Sequence, residues 1–409
     1  MKKLTAIILT LLMAASCAAC SNGDPSSSQT DITTTSQAET SSSEQSATET
    51  ETATTLDWVA YNEYSLEEDV PVKNIILMIG DGMGENIIKA SEIVKGDKLV
   101  MSGIPNKTHV TTYSASVEKG YAEFTDSAAS STAISTGTKT YNQFIGVDTE
   151  EKELETICEF AMNLGLKTGL VDRHYVCHAT PAGMVAHNNY RGNYQQILRE
   201  MVGSGVNVMS GGGSQFYTNS EKVQKAVVDN NYKYITTEDE LLALEGTEEK
   251  VLGMFAYDNM GSATMEPDLT TMTSKALELL DNENGFFLMV EGSNIDVYEA
   301  EEDMPSTLEQ MKSFDMTVDY VLQWAEDNPG TLVIVTADHE TGGVQIPENA
   351  TAEDINNDCF TSGGEHTNTN VLLMASGARS KELCESELID NTDIAKYMRK
   401  VLNETYAKE

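Results

Sequence analysis

The chain is predicted to fold as a three-layer α/β/α sandwich around a large, mostly parallel central sheet. Three observations predict it: short apolar runs recur through the second part of the chain, segments of helical period lie between them, and several of those segments close on Gly or Asn. Runs that are apolar throughout, rather than alternating, suit strands buried on both faces of a parallel sheet. Strand and helix in alternation then place helices on both sides of it.

Taken in order, the candidate strands are "NIILMI" (74–79), "TGLVD" (168–172), "VNVMS" (206–210), "FFLMV" (286–290), "LVIVTA" (332–337) and "VLLMAS" (371–376). Between them, "LETICEFAMNLG", "NYQQILREMVGSG" and "MTSKALELLDNENG" read as helices with Gly or Asn stops. The clearest helix is expected over 310–327, where Met311, Phe314, Val318, Val321, Leu322 and Ala325 share one face and "NPG" closes it. No internal repeat and no second boundary after residue 70 is visible, so 71–409 is expected to be one catalytic domain.

The N-terminus is of another kind. Lys2 and Lys3 precede an apolar run over 4–15 that ends in small residues with Cys17 and Cys20. Residues 1–20 therefore read as a signal peptide, too short for a permanent span. "AASCAACSN" is similar to a bacterial lipoprotein processing site, with Cys20 the expected acceptor and Cys17 the alternative. Both cleavage and lipidation imply an extracytoplasmic protein: a cell-surface lipoprotein, or else a periplasmic or secreted one. Residues 21–70 are expected to be a disordered tether, because a Ser/Thr/Glu-rich stretch buries too little apolar surface to offset its ordering entropy.

Lys and Arg number 26 against 65 acids, a formal net charge of −39, and removing Lys2 and Lys3 makes it −41. Such a charge repels nucleic acid and anionic membranes, which excludes a phosphate-backbone binder and leaves a lipid anchor as the membrane attachment. A small anionic substrate needs local cations. Cys158, Cys177, Cys359 and Cys384 form no C-x-x-C pair, which argues against a zinc knuckle; one or two disulfides fit the compartment, with unreadable connectivity.

Ligands of such sheets bind at the carboxyl ends of the strands. Three of those ends carry acids: "NIILMIGDGMG" delivers Asp81, "FFLMVEGSNID" delivers Glu291 and Asp296, and "LVIVTADHETGG" delivers Asp338 with His339. Four converging acids repel unless cations neutralise them. Carboxylates with imidazole suit Zn²⁺, Mg²⁺ or Mn²⁺. In "FTDSAASSTAISTG" (124–137), Ser127 stands at the start of a small-residue helix whose N-terminus favours an anion, and beside metals it becomes a candidate nucleophile. In "HATPAGMVAHNNYRG" (178–192), Thr180 offers a hard oxygen and Arg191 a planar fork for two phosphoryl oxygens.

Six motifs, "DGMG", "TDSAASSTA", "HATPAGMVAH" with a downstream Arg, "EGSNID", "TADHE" and "EHT", stand in the order found in alkaline phosphatases. Over roughly 72–378 the chain resembles that family. The resemblance implies Ser127 as the nucleophile of a phosphoserine intermediate, also facing the metals, and Arg191 as the phosphoryl clamp. It implies one metal on Asp81, Asp338 and His339, a third metal, usually Mg²⁺, on Asp81, Thr180 and Glu291, and another zinc on Asp296 and His366. His178 is implied to act through a bound water beside the third metal, and His187 to stand behind the ligands. His109 and His174 match no ligand position and read as structural.

The chain departs from the family pattern at Ala300, four residues after Asp296, where a zinc-binding His is expected. Three accounts stay open. Glu299 or Glu301 replaces the imidazole and makes the site more tolerant of Mg²⁺, Mn²⁺ or Ca²⁺; water completes a weak site; or the acid run "DVYEAEED" is a solvated loop. His339 and His366 are 27 positions apart, which leaves little room for the dimer-capping insertion of many family members, so the oligomeric state stays open. The expected function is phosphate monoester hydrolysis on small-molecule esters. The alternatives are phosphodiester, phosphonate or sulfate ester hydrolysis on the same fold, and an inactive metal- or phosphate-binding lipoprotein.

Overall fold

β1 (Asn74–Ile79) is apolar at five of its six positions and buried at all six, as a strand covered by helices on both faces must be. The computed structural model describes residues 56–406, and β1 lies at the middle of its sheet. The other strands are β2 (Asn106–Thr111), β3 (Lys167–Tyr175), β4 (Val208–Gly212), β5 (Lys233–Ile235), β6 (Val251–Met254), β7 (Phe286–Glu291), β8 (Thr331–Thr336), β9 (Glu340–Thr341), β10 (His366–Thr367), β11 (Val371–Gly377) and β12 (Leu388–Asp390). Ten of them form one sheet in the order β12-β2-β11-β8-β1-β7-β3-β4-β6-β5, and β9 pairs with β10 in a two-stranded ribbon.

From β8 through to β5 every neighbouring pair is parallel. β11 runs against both β8 and β2, while β12 runs with β2, so β11 alone is reversed in the large sheet. The expected α/β sandwich with a mostly parallel sheet is therefore what forms. All six expected strands are present, some shifted by one to three residues at their ends. The strands not expected, β2, β5, β6, β9, β10 and β12, are short or only half-buried, except for the buried "VLGM" of β6.

The expected helices form as Ile157–Asn163, Tyr194–Ser204 and Leu269–Leu280. The first opens with a capping box between Thr156 and Glu159 and the second closes on Gly205 in the left-handed region. The helix expected over 310–327 runs over Met304–Asp327, one and a half turns longer, because Asp303 caps it and Pro305 occupies its first turn.

Residues 56–70 correct the expected extent of the tether. Trp58, Val59, Tyr64, Leu66 and Val70 pack against the core. Tyr64 Oη donates to Asp319 at 2.6 Å and the Ser65 amide donates to Glu326 at 3.0 Å, so this segment lies along the Met304–Asp327 helix. Its aromatic and aliphatic side chains bury enough apolar surface to hold it there. The expected signal peptide, the Cys17 and Cys20 acceptors and the rest of the tether lie outside the described residues. Among the described residues no helix is long and apolar enough to cross a membrane, and all four cysteines are free thiols.

Candidate active site

Four adjacent strands, β8, β1, β7 and β3, end at the same edge of the sheet, and each delivers a buried acid there. The register makes a row: Ile79 pairs with Thr336 on one side and Glu291 on the other, and Glu291 pairs with Asp172. Asp81 and Asp338 each follow two residues beyond that row. Asp81, Asp172, Glu291 and Asp338 are all at most 1% exposed. Burial, and then the charges of their neighbours, push the carboxyls of Asp81 and Glu291 well above the usual range, and burial raises those of Asp172 and Asp338.

His339 follows Asp338 directly and is fully buried. Its Nε2 lies 3.2 Å from Asp338 Oδ2, 3.4 Å from Asp81 Oδ1 and 3.3 Å from Ser127 Oγ. Burial, reinforced by the nearby His366 and Arg191, holds its pKa well below the ordinary value, so the ring is neutral and free to ligate. Its plane stacks on His366, 3.6 Å between centroids. His366 Nε2 is 3.5 Å from Asp296 Oδ1, and its Nδ1 lies 2.8 Å from the Thr125 carbonyl, an acceptor that fixes the proton on Nδ1 and leaves Nε2 a lone pair. Asp81, Asp338 and His339 offer ligand atoms within 4.8 Å of one another, as do Asp296, His339 and His366.

The residues fit divalent cations. Asp81 Oδ1, Asp338 Oδ2, both Glu291 oxygens, Thr180 Oγ1 and both Glu299 oxygens are buried with no hydrogen-bond partner among the described residues. Orphaned buried acceptors in this number are rare, and they converge where the strands end.

Ser127 opens the helix Ser127–Thr136, whose residues from Ser127 to Ser135 are all buried. The helix needs small side chains because it packs closely: a Cβ on Gly183 would meet Ser131 Oγ at 2.2 Å. Asp126 caps it by accepting the Ala129 amide at 3.0 Å on one carboxylate oxygen, and on the other it takes Arg191 Nη1 at 3.2 Å. Arg191 Nη2 donates to His178 Nε2 at 3.1 Å. Arg191 is thus held at both ends of its fork beside the helix N-terminus. An open cavity of about 550 Å³, lined by Thr125, His366, Phe124, Asn142 and two exposed glutamates, leads to solvent on the His366 side.

His178 stands against Arg191 as well. Its Nε2 is occupied by Arg191, so it positions the guanidinium; its Nδ1 is buried without a partner, and His174 stacks on it at 4.2 Å. His187 bridges the Gly146 carbonyl and Glu159 outside the cluster. His109 lies beside Glu85, away from the cluster.

The acid run after Asp296 is not a solvated loop. Asn294–Ala300 is a helix, Glu299 is fully buried within it, and Glu301 is exposed just beyond. Of the two carboxylates considered for the vacant imidazole position, Glu299 alone points inward: a Cβ on Gly82 would meet its Oε2 at 2.7 Å.

Three residues of the site escaped the sequence reading. Thr341 donates from Oγ1 to Asp296 Oδ1 at 2.6 Å and lies 3.2 Å from His339 Nδ1, tying the two histidine groups together. Its spacing, two residues after His339 on a strand, was the available signal. Asp126 precedes Ser127 in the motif "TDSAASSTA", but its pairing with Arg191, 65 residues away, is a long-range property. Asp172 ended an expected strand, and its register to β7 is a long-range property.

A family model described as alkaline phosphatase matches residues 72–359. Alkaline phosphatase 4 of Bacillus subtilis is 34% identical over 304 residues, 69% of this chain and 64% of that protein. Alkaline phosphatase 3 of the same organism is 33% identical over 67% of this chain and 62% of its own length, so the chain spans just under two thirds of these two relatives. The alkaline phosphatase of Escherichia coli is 30% identical over 82% of this chain and 87% of its own length. Among solved structures, a cold-active alkaline phosphatase from a psychrophilic Shewanella superposes with a TM-score of 0.73 at 29% identity, covering 80% of this chain and 99% of that one. A TAB5 alkaline phosphatase variant, described with Mg bound in its M3 site, does so with 0.72 at 28% identity, covering 83% and 99%. The acids at the ends of four strands, the serine at a helix start and a family match over most of the described residues agree, and the chain belongs to the alkaline phosphatase family.

Proposed function

We propose that the chain is a metal-dependent phosphate monoester hydrolase working through a phosphoserine intermediate on Ser127. The observation that carries this reading is the position of Ser127, a buried hydroxyl in the first turn of a helix, 3.3 Å from His339 Nε2 and so beside the acids of β1 and β8. In the first half-reaction Ser127 Oγ bonds to phosphorus as the bond to the ester oxygen breaks, and that oxygen leaves as an alcohol with a proton from solvent. In the second, water attacks the same phosphorus, the bond to Oγ breaks, and inorganic phosphate is released. Arg191 offers its fork to two non-bridging oxygens, which favours a dianionic monoester end over a diester. Asp126 and His178 keep that fork from turning away.

Divalent cations, when bound, supply the charge that ionises a hydroxyl at neutral pH and stabilises the entering and leaving oxygens. Mixed imidazole and carboxylate groups at Asp81, Asp338 and His339, and at Asp296 and His366, suit Zn²⁺; the oxygen-only set of Glu291 and Thr180 suits Mg²⁺. We assign Glu299 as the group that supplies negative charge where Ala300 lacks an imidazole, which makes the Asp296 and His366 site harder than a zinc site usually is. The leader sequence supports an extracytoplasmic, lipid-anchored enzyme acting on small phosphate esters.

Initial rates on an aryl phosphate and a bis-aryl phosphate test the reading. The monoester should be the faster substrate, and Ser127→Ala should lower its kcat by roughly 10³-fold or more while the fold is kept. Intact activity in Ser127→Ala would remove the serine mechanism, and faster diester cleavage would remove the monoester assignment.

A further inference from the structure

Asp172 has no part in the reaction proposed above, yet the sheet puts it at the site. β3 and β7 are parallel neighbours, and Asp172 is the register partner of Glu291. Such partners project from the same face of the sheet at roughly the strand spacing of 4.8 Å. Asp172 is 1% exposed and Glu291 0%. Asp172 Oδ1 accepts the His174 amide at 2.9 Å. Asp172 Oδ2, Glu291 Oε1, Glu291 Oε2 and Thr180 Oγ1 have no hydrogen-bond partner among the described residues.

Among the described residues no cationic side chain bonds to this pair. Arg173, next along β3, projects to the opposite face, where its Nη1 donates to the carbonyls of Met265 and Pro267 and its Nη2 to that of Met260. A buried carboxyl pair without a counter-charge either shares a proton or holds a cation. One proton shared between Asp172 and Glu291, with the Thr180 hydroxyl donating to Glu291, is the competing arrangement, and uptake of Mn²⁺ separates the two. A hard divalent ion takes about six oxygens and uses them all.

We propose that Asp172 is a direct ligand of the cation held by Glu291 and Thr180, giving that site a second in-register carboxylate and biasing it toward Mg²⁺ or Mn²⁺ over Zn²⁺. The proposal rests on the reading of Glu291 and Thr180 as a cation site. The absence of nitrogen and sulfur from the four oxygens is what sets the preference.

The test uses the full chain, stripped with chelator, loaded with Zn²⁺ and then titrated with Mn²⁺, with free Mn²⁺ read by electron paramagnetic resonance and bound Zn²⁺ by mass spectrometry. Asp172→Asn keeps the shape and the acceptor for the His174 amide; Asp172→Ser is the smaller variant if the amide does not fold. The expected result is Mn²⁺ affinity at least about tenfold weaker in either variant, with bound Zn²⁺ unchanged. Unchanged Mn²⁺ affinity in Asp172→Asn, with Glu291→Gln losing the ion, would overturn the role of Asp172 and leave the reading of the site standing. If the parent chain takes up no Mn²⁺ beyond the Zn²⁺ sites, that reading falls and the proposal with it.

Discussion

A carboxyl buried without a cation resists ionisation, and Asp172 is the place to measure this. Burial pushes it up to about 6, from roughly 3.9 in an unfolded chain. Below both values the group is neutral in either state and carries no penalty. Between them only the unfolded chain ionises, so its contribution to stability is lost as pH rises from about 4 to about 6. Urea unfolding of chelator-treated protein should therefore show Asp172→Asn gaining stability relative to the parent across that window. A constant difference would place the titration elsewhere. A second residue-scale test concerns Ala300, which lies one turn beyond Asp296 on the same helix face and is exposed. Ala300→His should raise Zn²⁺ retention during dialysis by about tenfold or more, and an unchanged metal content would mean that Asp296 and His366 do not define that site.

At the scale of the element, the turn after β1 is the most constrained. Gly82 has φ of 75°, and a Cβ there would meet Glu299 Oε2 at 2.7 Å and Thr341 Oγ1 at 2.9 Å. Gly82→Ala adds left-handed strain to a close contact and should cost about 1–3 kcal/mol, seen as a lower urea midpoint with unchanged slope. The elements also show what a sequence can and cannot disclose. β1, β7 and β8 were legible because strands buried on both faces must be apolar throughout. β5 and β12, three residues each and only partly buried, carry no such pattern. Asp81, Glu291, Asp338 and His339 were legible as acids and imidazole placed just after apolar runs. Asp172 and Thr341 were not, because their meaning depends on the register of β3 with β7 and on a two-residue ribbon closed by His366. Glu299 was legible as an acid but not as an inward one, since burial of one residue in "YEAEED" follows from the helix phase.

For the whole molecule, the row of acids makes cation loss a matter of global stability. A site held at 100 times its dissociation constant contributes about 2.7 kcal/mol to the folded state. Calorimetry with chelator should therefore show Tm several degrees lower, restored by adding back Zn²⁺ and Mg²⁺. An unchanged Tm would mean that the carboxyls settle their repulsion by protonation. The candidate ligands are also spread along the chain: Asp81 follows β1, near the start of the sheet, while His366 lies in β10, late in the element order. A polypeptide leaving a ribosome or a membrane pore delivers Asp81 early and His366 late, after seven further strands of the large sheet. A product truncated before His366 can pair its first strands and still have no means of closing the Asp296 site, so a retained ion at that site marks a chain made at least as far as β10.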